Sequence, residues 1–247
     1  MQQANWECFK KIRSWYKNET EKLAGKLPQL KLFQQELINK RNPVYQVETP
    51  LVYNVSLDDI NPDSDIRLIL VADNPGRREQ AAENRRYLVG PSGKIAEKFF
   101  RDNSVLKIDF RKNVIILNKT PIHTPRTAEL RELCRLGGPS LETFLAKSQK
   151  LMASLLFEFQ KCLSLGASIV PVWITGYSEM KKGGIFEVYT NELKKIYKDS
   201  NFEDKVFLFR HFSMNQFTID LKKQTVLGEP LKKTLKRIGT AYRKKYL

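Results

Sequence analysis

The stretch Leu68-Ile69-Leu70-Val71-Ala72-Asp73-Asn74-Pro75-Gly76 decides how the chain is read. Its opening apolar run carries no charge, the signature of a strand buried on both faces inside a parallel sheet. Asn74-Pro75-Gly76 then breaks the run. Asp73 and Asn74 therefore stand at the carboxyl end of a central strand, where open α/β sheets build their sites. Leu88-Val89-Gly90-Pro91-Ser92-Gly93 follows and leads into Lys94 to Phe100, which has helical spacing. Ser92 and Gly93 thus fall at a helix start, whose free N–H groups suit an anion.

Outward from this stretch, strand and helix alternate. Asn113 to Leu117 is a second buried strand, ending in Asn118-Lys119-Thr120-Pro121. Thr127 is placed to cap a helix over Ala128 to Leu136, which Gly137-Gly138-Pro139 terminates, and Ser140 to cap the long helix that Gly166 ends. Ser168 to Thr175 is the third strand, with Pro171 marking an irregular ladder, and Lys205 to Arg210 is the fourth, with His211, Phe212 and Ser213 at its tip. This order predicts an α/β fold, a three-layer α/β/α sandwich around a four-stranded parallel sheet.

Upstream, Trp6, Phe9, Ile12 and Tyr16 make an amphipathic helix, a pattern of core packing, and Leu30, Phe33 and Leu37 continue at helical spacing until Asn42-Pro43. Val44 to Leu57 alternates weakly and reads as extended chain crossing the surface. Downstream, Leu221 to Leu247 reads as one helix with Leu231, Leu235, Ile238 and Tyr242 beneath and a dense row of Lys and Arg on top. Such a face suits a phosphate backbone, and equally a solvated tail. A single domain over 1–247 is expected, with a helical extension over 1–60 and the basic C-terminal helix over 221–247.

The 43 Lys and Arg against 27 Asp and Glu give a net charge of +16, which favours an anionic partner, nucleic acid before others. Three scattered cysteines, Cys8, Cys134 and Cys162, fit a reducing, cytoplasmic setting and no disulfide frame. Neither a signal-peptide core nor an apolar run of membrane-spanning length is present, so no membrane partner is expected, and a monomer is.

The strand tips together present a carboxylate, two carboxamides and an imidazole: Asp73, Asn74, Asn118 and His211. There is no metal-ligand spacing and no Ser or Cys nucleophile motif, so no metal or other cofactor is expected. Such a set can orient a water, read a planar hydrogen-bonding ring and stabilise a departing anion.

These residues resemble the motifs of the uracil-DNA glycosylase superfamily. Ala72-Asp73-Asn74-Pro75-Gly76 is similar to its Gly-x-Asn-Pro-Gly segment in the single-strand-selective and mismatch-specific branches. Leu88-Val89-Gly90-Pro91-Ser92-Gly93 resembles the Phe-Val-Gly-x-Ala-Gly of the iron–sulfur branch, whose four cluster cysteines are absent here. Ile115 to Ile122 is similar to the segment carrying the base-reading Asn, and His211-Phe212-Ser213 stands where the family has His-Pro-Ser.

The resemblance implies a cofactor-free glycosylase acting on uracil or a related deaminated base flipped out of DNA, single- or double-stranded. Asn74 or Asp73 would position the attacking water, His211 would hydrogen-bond the leaving base, Asn118 would read its edge, and Tyr87 or Leu88 would cover its ring. Pro75, Gly76, Ser92 and Gly93 would lie against DNA, while Ser213, Met214 and Asn215 would contact phosphate or wedge into the gap. A DNA-binding protein of the same fold with little or no cleavage is the alternative; a small-molecule nucleotide hydrolase is disfavoured by the lack of Gly-x-Gly-x-x-Gly.

Overall fold

The protein is described by a computed structural model over residues 1–41, 44–166 and 168–247. Asn42-Pro43, the expected stop of the second helix, lies outside the described residues. Four strands, β1 (Leu68–Ala72), β2 (Val114–Asn118), β3 (Val172–Thr175) and β4 (Val206–Phe209), form one sheet in the order β2-β1-β3-β4. All neighbours run parallel, and every strand residue is buried.

Alternation along each strand divides the core into two layers. Ile69, Val71, Ile115, Leu117, Ile174 and Leu208 face helices α1 (Gln3–Lys26), α2 (Leu30–Asn39), α4 (Glu129–Leu163) and α5 (Glu187–Tyr197). Leu68, Leu70, Ile116, Trp173, Phe207 and Phe209 face α3 (Pro91–Asp102), α6 (Gln216–Gln224) and α7 (Leu231–Tyr246). Helices therefore cover both sheet faces, giving the three-layer α/β/α sandwich that the strand–helix alternation predicts. Each such side chain removed from water is worth about 1.5–3 kcal/mol. No helix among the described residues is long and apolar enough to cross a membrane.

Some segments depart from the sequence reading and one break bears it out. Val44–Leu57 lies only partly on the surface: Val44, Gln46 and Glu48 are exposed, but Val47, Val52, Asn54 and Leu57 are buried. Its backbone can go inside because side chains meet it there, Gln80 Oε1 accepting from the amides of Glu48 and Thr49. The C-terminal segment is two helices, since Gly228 and Pro230 interrupt it. β3 begins only at Val172, because Pro171 lacks a donor and contributes its carbonyl alone, to the Ile69 amide. The Gly137-Gly138-Pro139 break is where that reading puts it: Gly138 (φ 62°, ψ −157°) leaves helical geometry, so α4 is two helical stretches joined at a kink.

Candidate functional site

Because all four strands are parallel, their carboxyl ends lie along one edge, and the register puts Ala72 opposite Asn118. Asp73 and Asn74 thereby come beside Lys119, whose amide donates to the carbonyls of both Ala72 and Asp73. Gly176 closes β3 at φ 79°; a Cβ there would sit 2.5 Å from Asp73 Oδ1, so a side chain would displace the carboxylate. The Gly176 amide donates to Phe209 O, which ties β3 to β4 just before His211.

The carboxamides differ. Asn74 Nδ2 donates to Thr124 O (3.1 Å) and Oγ1 (2.9 Å), and its Oδ1 accepts from Thr127 Oγ1 (3.0 Å). This fixes the amide orientation and leaves Oδ1 one open lone pair. Asn118 is 1% exposed, yet neither its Oδ1 nor its Nδ2 has a hydrogen-bond partner among the described residues. A buried, unpaired polar group costs about 1–3 kcal/mol, so one left with both atoms unpaired points to an absent complementary ligand.

At the β4 tip, the Ser213 amide donates to His211 Nδ1 (3.0 Å). Nδ1 is thus the acceptor and Nε2 carries the hydrogen, and Nε2 makes no hydrogen bond among the described residues. Burial pushes the His211 pKa down; Asp73 opposes this and Lys119 adds to it. The imidazole is neutral and offers one N–H. The next residue, Phe212, stands where the resembled motif has Pro: fully buried, it stacks on Phe217 at 4.4 Å and anchors the His211 loop in the second core layer.

The carboxylate is clasped from behind. Lys119 is fully buried, and its Nζ lies 2.5 Å from both Asp73 Oδ1 and Thr175 O, with the Phe186 ring centroid at 5.0 Å. Thr127 is not the helix cap that its position suggests; the N-cap of α4 is Ala128, and the Thr127 hydroxyl serves Asn74 and Asp73 Oδ2 instead.

Other expected residues lie further out. Tyr87 is fully buried, its hydroxyl donating to Val52 O (2.6 Å) and meeting Tyr16 Oη (2.9 Å), so its ring is locked in the core rather than free to cover a base. Leu88 takes left-handed backbone (φ 53°), with its amide on Glu79. Ser92 and Gly93 open α3, where a Cβ on Gly93 would lie 1.5 Å from Leu88 O; no other residue fits. Met214 (φ 52°) and Asn215 (φ 59°) are both left-handed, and Met214 is 82% exposed on a turn packed against α3.

Pro75 and Gly76 rest on buried polar groups invisible to motif reading. His123 Nδ1 donates to Pro75 O (2.8 Å), while Tyr45 Oη donates to His123 Nε2 (2.7 Å). Glu79 accepts from the amides of Gly76 (3.2 Å) and Leu88 (2.9 Å), joining the two glycine-bearing loops. Burial lowers the His123 pKa to about 4 and raises the Glu79 pKa to about 7. A groove of about 840 Å³ along the open edge of β2, lined by Asn54, Arg86, Lys94 and Phe110 among others, includes none of Asn74, Asn118 or His211.

Neither a protein-family model nor a curated protein matches the chain.

Proposed function

We propose that the protein is a DNA glycosylase that hydrolyses the N-glycosidic bond of uracil, or of a related deaminated base, flipped out of DNA. The observation that carries this reading is the Asn118 carboxamide, buried with donor and acceptor both unpaired at the end of β2, opposite Ala72 of the strand that leads to Asn74. A pyrimidine edge with one ring N–H and one carbonyl satisfies it, the N–H donating to Oδ1 and the carbonyl accepting from Nδ2. Flipping is required because the glycosidic carbon is out of reach in the stack.

In this mechanism a water oriented by Asn74 Oδ1 attacks C1′ as the C–N bond breaks. Asp73 places negative charge beside the cationic sugar. The bonding pair leaves with the base, and His211 Nε2–H donates to the base carbonyl on which that charge gathers. Water supplies the hydroxyl of the abasic sugar, and its released proton balances the departing anion. Met214, exposed and in left-handed backbone, would enter the gap left by the base. The exposed Arg77, Arg78 and Arg126 flank the motif loops and suit phosphates.

The test is incubation with uracil- and hypoxanthine-containing oligonucleotides followed by alkali. Strand cleavage is expected, with Asn74→Ala and His211→Ala abolishing it while preserving a salt-sensitive gel shift. A shift without cleavage by the native protein overturns the enzyme and leaves the binding reading. Asn118 at 1% exposed and Tyr87 locked in the core favour that second reading, since a base must part the loops to enter.

A further inference from the structure

We infer that Lys119 is a positioning residue of this site: its ammonium neutralises Asp73, so that a carboxylate can stand beside His211 without drawing a proton onto the imidazole. The inference rests on the glycosylase reading for its catalytic meaning, but its physical content does not.

The geometry is that of a charge held in place. Lys119 is wholly buried at the tip of β2, and its Nζ reaches across β1 to Asp73 Oδ1 and to Thr175 O on β3, each 2.5 Å away, with the Phe186 ring face behind it. These are the surroundings an ammonium requires, with acceptors and an aromatic face and no competing donor. Of the pair, the Asp73 side chain is 14% exposed and Lys119 not at all, so the carboxylate fronts the site and the cation backs it. The charged groups acting on His211 are Asp73 from β1, which favours the imidazolium, and Lys119 from β2, which opposes it. Arg210, next in the chain, is drawn to Asp220 on α6 at 3.5 Å, and the other packing against the loop from α3 and α6 is aromatic, Phe99 and Phe217.

An unbalanced Asp73 would charge His211, cost it the Ser213 N–H bond to Nδ1, and leave negative charge facing a departing anion. With Lys119 in place, the same carboxylate can favour a cationic sugar while Nε2–H remains a neutral donor. Nothing in the residue pattern marks Lys119 for this, since a lysine after a strand is ordinarily solvated.

The chain has 2 histidines, which makes the test direct: NMR titration of the ring protons in the native protein and in Lys119→Met, Asp73→Asn and the double variant. His123, held by Pro75 O and Tyr45, serves as the folded-state control. Lys119→Met is expected to raise the His211 pKa by roughly one unit or more, Asp73→Asn to lower it, and the double variant to bring it back, with His123 unmoved. The acid limb of the excision rate follows His211 in the same directions, and kcat for Lys119→Met falls severalfold at neutral pH with KM preserved.

If Lys119→Met does not fold, the neutral double variant and Asp73→Asn still decide. A His211 titration that stays put in a folded single variant overturns the inference. Borohydride trapping of Lys119 on abasic DNA overturns it too, since it would make the lysine a nucleophile. A native protein that excises nothing overturns the glycosylase reading alone and leaves the titration test in force.

Discussion

Two asparagines and two histidines stand in or beside the core near the sheet, and in each pair one residue is finished and the other is not. Asn54 is fully buried: its Nδ2 donates to Ile116 O, and its Oδ1 accepts from the amides of Ser56 and Tyr87. Asn118, two residues beyond Ile116 on β2, has no partner for either atom. His123 uses both ring nitrogens inside the protein, whereas His211 uses one and leaves Nε2–H open. Residue type is the same within each pair, and the two asparagines are equally buried, while His211 is the more open of the histidines. What separates a scaffold group from a candidate site group is whether the folded chain completes its hydrogen bonds.

Removing the carboxamides breaks the comparison most sharply. Asn118→Ala is expected to lower base excision by about 10²–10³-fold, the scale of losing an aimed donor. It should leave stability nearly unchanged, because the lost packing is offset by relief of two unpaired polar atoms. Asn54→Ala should do the reverse, lowering stability by about 2–3 kcal/mol through the orphaned Ile116 carbonyl and Ser56 and Tyr87 amides. Urea melts and single-turnover excision on both variants check this; a large stability loss at Asn118 would make it a scaffold residue after all.

The finished groups carry a second, smaller contrast, visible in pH. Glu79 has a folded pKa of about 7 against an ordinary 4.5, so the stability it contributes is full below pH 4.5 and lost as pH rises through 7. His123 has a folded pKa of about 4 against 6.5, so its contribution is present above pH 6.5 and lost as pH falls through 4. Each is worth roughly 3 kcal/mol, and between about pH 4.5 and 6.5 they oppose one another. Against the native protein, Glu79→Gln should gain stability more steeply as pH rises through that window, and His123→Asn should lose it. Variant curves that run parallel to the native one would show that these groups titrate alike in both states.

The fold was legible because each buried strand is a short apolar run and each ends in a polar break. The reading of β2 stopped at Leu117, one residue short of its tip at Asn118. What the residue pattern hid is non-local. Thr127 has a local reading as a cap, but its hydroxyl goes to Asp73, 54 positions away. Lys119 finds the same carboxylate 46 positions away, across a strand pairing that no short window contains. Tyr87, expected near the base, is taken inside by Tyr16, 71 positions upstream. Asp73, Asn74, Asn118 and His211 were legible because strand tips of a parallel sheet share an edge whatever the side chains do.

The smallest expected effect sharpens the comparison from the outside. Met214 contributes little packing at 82% exposed, and its φ of 52° is costly for a side chain with a Cβ. Scaffold logic gives such a residue no reason to be there, just as it gives none for an unpaired Asn118. Met214→Gly relieves the backbone without loss of buried contact, so stability should rise by about 0.5–1 kcal/mol, in line with glycine's tolerance of left-handed backbone. Duplex binding and excision should fall together, with a smaller loss on single strands, where no stack has to be held open. A Met214→Gly protein that is more stable and equally active on duplex would take the wedge away from Met214, leaving Asn215 to test next.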